Sequence, residues 1–257
     1  MFNFKKRSVH RSDDNLRIID SNTPFAILES FRSLCTNILY LPIEDKCKKI
    51  VITSAVAGEG KTYLSINTAI VLAQMLNDKK VLLVDMDMRK SSIRKLFGAF
   101  DSDKYNGAVG LTEFLVGISE TPNFIPTEHP NLHILFSGAK SLNPAGLINS
   151  TKMGEFFEIC NEKYDYIIID TSPITVVTDA TLLEKHVNGY IISTRSEYSN
   201  VHHLSDVISK LNAINAQIFG ITLTDFDVKK RDNHKKSYGY GYGYYYGYKD
   251  KDNTEEK

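Results

Sequence analysis

The stretch Thr53-Ser54-Ala55-Val56-Ala57-Gly58-Glu59-Gly60-Lys61-Thr62 constrains the fold more than any other part of the chain. An apolar β-branched run, Ile50-Val51-Ile52, leads into it, and a helix-forming stretch over residues 61–76 follows. Strand, glycine-rich turn and helix in that order make a phosphate cradle. Glycines at 58 and 60 let backbone N–H groups approach phosphate oxygens with no Cβ in the way. The next helix aims the positive end of its dipole at the same charge. Ala57, Gly58, Glu59, Gly60, Lys61, Thr62 and Tyr63 are therefore the candidate nucleotide-binding residues. Lys61 reaches for the β- and γ-phosphates and Thr62 offers a hydroxyl to Mg²⁺. A Gly-x-Gly-Lys-Thr string also fits a plain tight turn. Ala55 stands where the first glycine of the usual pattern would be.

Further short apolar runs alternate with helical patterns. The runs cover residues 49–54, 80–85, 132–136, 166–170, 189–194 and 218–223. The helical stretches cover 61–76, 91–97, 152–163, 179–186 and 200–214. Continuous apolar strands separated by helices predict an α/β fold of the P-loop type, with a central parallel sheet covered by helices on both faces. Such sheets hold ligands at the carboxyl ends of their strands. Three runs end in chemically active residues there: Ser54, Asp85 and Asp170. Asp85 and Asp87, two residues apart, share one side of an extended chain. Hard oxygen ligands at such ends suit Mg²⁺ held jointly with phosphate and water. Thr62, Asp85 and Asp170 are the candidate metal ligands. Lys61, Asp85, Asp87 and Asp170 are the candidate catalytic set. Asp87 is the candidate for activating an attacking hydroxyl, and a salt bridge to Arg89 or to a neighbouring subunit is the structural alternative. Arg195, at another strand end, is a further candidate for the nucleotide.

Composition narrows the rest. Lysine plus arginine balance aspartate plus glutamate at 31 each, so no global charge points to nucleic acid. Cys35, Cys47 and Cys160 lack metal-ligand spacing and read as reduced cytoplasmic thiols. Lys5, Lys6 and Arg7 are followed by Asp13 and Asp14 instead of an apolar run, unlike a signal peptide. The expected compact domain covers residues 1–228, with 1–20 flexible. Residues 229–257 have almost no aliphatic side chains and read as a disordered tail. That tail holds Tyr238, Tyr240, Tyr242, Tyr244, Tyr245, Tyr246 and Tyr248, mostly alternating with glycine.

These motifs resemble those of the bacterial tyrosine kinases of capsule and exopolysaccharide synthesis. Val84-Asp85-Met86-Asp87-Met88-Arg89 is similar to that family's second nucleotide motif. Ile168-Ile169-Asp170-Thr171-Ser172-Pro173 with Asp179-Ala180 is similar to its third, and the tyrosine run to its autophosphorylation cluster. The resemblance implies an ATP- and Mg²⁺-dependent protein-tyrosine kinase that phosphorylates the tail in trans. It also implies a homo-oligomeric ring and a membrane polysaccharide co-polymerase as activator, which would place the chain at the inner face of the membrane. Reversible control would require a tyrosine phosphatase. Glu29-Ser30-Phe31-Arg32-Ser33-Leu34-Cys35-Thr36-Asn37 resembles the family's subunit-contact helix, so Glu29 and Arg32 are the candidate oligomer contacts. Cys35 stands there in place of a second arginine. Partitioning and site-placing ATPases of the ParA and MinD type are the nearest alternative, with a nucleotide-binding scaffold the other. The first carries a signature lysine at the position of Val56, and the tyrosine tail also argues against it.

Overall fold

The computed structural model describes residues 18–98 and 109–226. Seven strands form one sheet in the order β3-β4-β2-β5-β1-β6-β7. They are β1 Lys48–Ser54, β2 Val81–Asp85, β3 Ile125–Pro126, β4 Leu132–Leu135, β5 Tyr166–Asp170, β6 Gly189–Arg195 and β7 Ile218–Thr224. All pairings are parallel except the short β3 against β4. The parallel sheet anticipated from the apolar runs is therefore present, and it gains one antiparallel strand at an edge. The two-residue β3 carries too little pattern to be seen in sequence. β2 and β5 are buried along their whole length, which is why they read as unbroken apolar runs and not as alternating ones.

Helices cover both faces. On one side lie α1 (Phe25–Leu39) and α2 (Lys61–Met75). Ile50, Ile52, Leu83 and Ile168 of the sheet join their core. α2 is buried around most of its circumference because it lies between the sheet and α1. α1 buries only Phe31, Cys35 and Ile38, a stripe at helical spacing. The opposite face carries α6 (Thr151–Lys163) and α7 (Val201–Ala213), whose Phe156, Cys160, Val207 and Leu211 pack on Val51, Ile167 and Ile169. Shorter helices α3 (Ile93–Gly98), α4 (Leu111–Leu115) and α5 (Pro144–Ile148) complete the described chain. The stretch 179–186, expected to be helical, is a 3-10 helix over Thr181–His186.

The compact unit ends at Asp225. Of residues 1–20, expected to be flexible, 1–17 lie outside the described residues, as does the tyrosine-rich segment; Ile19 is buried instead, with its amide donating to Asn67 Oδ1 at 2.8 Å. Among the described residues no helix is long and apolar enough to cross a membrane.

Candidate nucleotide and phosphoryl-transfer site

Parallel pairing sets the site. Asp85 of β2 and Ile52 of β1 both stand in register with Asp170 of β5, so β2 and β5 end together and β1 runs two residues further. The loop from β1 to α2 lies over those ends. Gly58 and Gly60 adopt left-handed φ angles of +86° and +82°, conformations that other residues rarely take. A Cβ on Gly60 would stand 2.8 Å from Oγ1 of Thr224. The sequence pattern and the backbone therefore agree on why glycine is needed there.

The loop is braced from β6 and β7. Glu59 is buried, and its carboxylate accepts the Val56 amide at 3.0 Å and the Ser199 hydroxyl. Its carbonyl accepts from Ser193 at 2.6 Å and Thr224 at 3.0 Å. The Tyr198 hydroxyl donates to the Ala57 carbonyl at 3.0 Å. Arg195 donates to the Gly58 carbonyl at 3.1 Å and pairs with Asp225 at 3.2 Å. With its outer carbonyls held this way, the loop has a preset shape before any ligand arrives. Serines and threonines at 193, 199 and 224 carry no sequence signal, and this bracing was not legible from the motif. Arg195, anticipated near the nucleotide, grips the loop itself.

The charged groups meet beneath the loop. Lys61 Nζ lies 3.6 Å from Asp170 and 3.7 Å from Asp87. The Thr62 hydroxyl donates to Asp170 at 2.7 Å. Asp87 accepts the amides of Arg89 and Lys90 at 3.3 and 3.0 Å. It makes its ion pair with Lys61; Arg89 instead turns to Asp179, with bonds of 2.7 and 3.0 Å. The pairing with Arg89 weighed for Asp87 is thus replaced by a different pair, which ties the end of β2 to the segment after β5. Asp85 accepts the Ser91 hydroxyl at 2.6 Å and the Asp87 amide at 3.1 Å. Ser91 is a site residue that the sequence did not single out.

The electrostatics follow from burial. Burial pushes the Asp85 carboxyl up to about 7; nearby Asp170 adds to this and the Ser91 hydrogen bond opposes it. Asp170 is also raised by burial, against the pull of Lys61 and Thr62. Burial alone would lower the Lys61 ammonium, but Asp170, Asp87 and Asp85 outweigh it and hold the group above the ordinary lysine value.

Thr62 and Asp170 offer hard oxygen donors in direct contact, the chemistry Mg²⁺ takes when phosphates and water complete its shell. Among the described residues no group of three or more His, Cys, Asp or Glu side chains forms a metal cage. The Thr62 and Asp170 oxygens fit a metal shared with a nucleotide's phosphates. The remaining candidates lie elsewhere. Tyr63 sets its ring edge-to-face on Phe31 of α1, with centroids 5.6 Å apart. Glu29 and Arg32 pair with each other at 2.6 Å on the open side of α1. Cys35, aligned with an arginine of the subunit-contact pattern, faces inward instead, fully buried with its thiol donating to the Thr68 carbonyl at 3.6 Å.

Comparison with known proteins agrees with this arrangement. Residues 47–223 match a family described as an AAA domain. The tyrosine-protein kinase CpsD of Streptococcus pneumoniae serotype 4 is 34% identical over 201 residues, covering 78% of this chain and 85% of the relative. The putative tyrosine-protein kinase CapB of Staphylococcus aureus is 31% identical over 214 residues, covering 83% and 90%. The solved kinase domain of the Escherichia coli tyrosine kinase ETK superposes with a TM-score of 0.69 at 26% identity, covering 88% of each chain.

Proposed function

The chain belongs to the bacterial tyrosine-protein kinases, and on that premise we propose that it transfers the γ-phosphate of Mg-ATP to the tyrosines at 238–248 of a neighbouring copy. One observation carries the reading: Lys61, Asp87 and Asp170 converge within 3.7 Å at the ends of three adjacent strands, under a glycine loop. Phosphoryl transfer needs positioning and charge neutralisation more than covalent chemistry. Lys61 and the amides of residues 57–62 hold the phosphates. Thr62 and Asp170 would hold Mg²⁺ together with phosphate and water, and Asp85 would orient their surroundings. When bound, the metal neutralises charge on the β- and γ-phosphates. Asp87 accepts or orients the proton of the incoming tyrosine hydroxyl. A phenol with a pKa of about 10 needs that help at neutral pH.

The substrate is the segment that starts beyond residue 228. Seven tyrosines with interspersed glycines let several hydroxyls enter one site in turn. A neighbour's site in a ring, contacted through Glu29 and Arg32, is reached at high effective concentration. Each phosphate adds a charge of about −1.5 to −2, so accumulated phosphorylation weakens subunit contacts and releases the ring. A membrane-embedded polysaccharide co-polymerase activates the kinase and holds it at the inner face of the membrane, and a tyrosine phosphatase resets it. The output is control of capsule or exopolysaccharide synthesis.

Intact-mass spectrometry tests the reading. The full chain is incubated with Mg-ATP and the activator's cytoplasmic segment. Successive additions of about 80 Da, mapped to residues 238–248 and absent in Lys61→Met, are expected. ADP release with no added mass would select a regulatory ATPase, and neither change would select a scaffold. An unchanged mass in solution after full phosphorylation would remove ring release from the proposal.

A further inference from the structure

Ser172 sits on the ligand side of the sheet with a hydroxyl that bonds to nothing. The residue is 3% exposed. Among the described residues its Oγ is one of three buried side-chain polar atoms without a hydrogen-bond partner; the others belong to Thr68 and His186. Those two are remote from the chemistry. Thr68 lies mid-way along α2, packed in the core, and the His186 ring stacks on Phe157 at 5.0 Å. Ser172 differs in place. It follows Asp170 by two residues, and Asp170 touches both Thr62 and Lys61. Its carbonyl accepts from the Thr53 hydroxyl at 3.2 Å, and the Ile174 amide donates to the Ser54 carbonyl at 2.9 Å. The segment after β5 thus runs beside the last residues of β1, directly before the phosphate loop.

A buried hydroxyl without a partner has given up its hydration for nothing, and native proteins keep few of these. Serine has one torsion about Cα–Cβ and a freely turning O–H. With no acceptor fixing it, the group can turn toward an incoming ligand at little cost. The ligand that approaches the ends of β1 and β5 is rich in strong acceptors. Resting on the kinase reading above, we propose that Ser172 donates a hydrogen bond to the terminal phosphate of bound nucleoside triphosphate. It would then discriminate triphosphate from diphosphate, and its unsatisfied state is the cost the ligand-free protein carries for that discrimination.

Three measurements on the full chain separate this from a packing role. Calorimetric titration with Mg-AMPPNP and Mg-ADP gives the affinity ratio between triphosphate and diphosphate. Ser172→Ala is expected to lower that ratio about tenfold, the size of one hydrogen bond to a charged acceptor, by weakening AMPPNP alone. Thermal melting of the ligand-free protein is expected to be unchanged or higher in Ser172→Ala, since an orphaned polar group has been removed. Ser172→Thr, which keeps a hydroxyl, is expected to retain most of the ratio. An unchanged ratio in Ser172→Ala overturns the assignment, and so does a lower melting temperature, which would reveal a structural partner. If the unmodified protein binds neither nucleotide, the kinase reading fails together with it.

Discussion

Arg89 grips Asp179 with two parallel hydrogen bonds, Nε to Oδ2 at 2.7 Å and a terminal nitrogen to Oδ1 at 3.0 Å, across 90 positions of sequence. The carboxylate is 2% exposed, so the guanidinium is its substitute for water. Arg89 also sends its amide to Asp87, which places the pair two residues from the proposed tyrosine-activating group. Arg89→Ala leaves a buried carboxylate unpaired and is expected to cost about 2 kcal/mol of stability. Arg89→Lys recovers only part of this, because an ammonium cannot make the two-pronged contact. Urea unfolding midpoints of the three proteins check the order.

Asp87→Asn separates transfer from binding. The asparagine carbonyl can still accept the Arg89 and Lys90 amides that shape the turn. What it loses is the negative charge facing Lys61 and the ability to take a proton. Tyrosine phosphorylation is expected to fall roughly 100-fold or more, while ADP affinity by calorimetry changes little. Equal losses in both would remove Asp87 from the proton-handling role.

Asp85 gives a pH signature. Its folded pKa of about 7 lies above the unfolded value of about 3.9. The folded state therefore holds the proton more tightly. The associated stability is fully present below pH 4 and is lost as pH rises through 7. Asp85→Asn removes the ionisation. Its stability relative to the unmodified ligand-free protein is expected to be higher at pH 8 than at pH 5, as read from denaturant midpoints at both values. A difference that does not vary with pH would contradict the burial-driven shift.

Gly60→Ala tests the loop backbone. The substitution forces a side chain into a left-handed conformation and brings its Cβ within 2.8 Å of Thr224 Oγ1. That hydroxyl already bonds the Glu59 and Thr194 carbonyls, so it cannot move away freely. A loss of at least about 1 kcal/mol is expected from the backbone alone, with weaker nucleotide binding. Adding Thr224→Ala relieves the contact but not the φ angle, so the double variant should recover little.

How much of this could be read in the chain follows from what each residue type can do. That Lys61, Thr62 and Asp170 meet was legible because a glycine turn from strand to helix and the acidic end of a parallel strand both lie at the carboxyl edge of the sheet. The parallel strands were legible because β2 and β5, buried on both faces, leave no polar alternation. The Arg89–Asp179 pair was not, since nothing local in sequence marks a contact 90 positions apart. Ser91, Ser193, Ser199 and Thr224 matter through one hydroxyl each, and serines and threonines are too common to single out. Cys35 shows the reverse case. It stands in place of an arginine of the subunit-contact helix it resembles, whereas the stripe Phe31, Cys35 and Ile38 turns it into the core.

The contact of Lys61 with Asp170 and Asp87 has a consequence for what the protein will accept. In the ligand-free state this tethered ammonium serves as the counter-ion of the acids. A bare divalent cation must compete with a positive charge that cannot diffuse away. A bare triphosphate that draws Lys61 off leaves two buried acids without compensation. A nucleotide arriving with its own metal would exchange charge for charge, its phosphates pairing with Lys61 and its cation with the acids. Such a site would read its cargo as a neutralised unit and be poorly suited to collecting the two components one at a time.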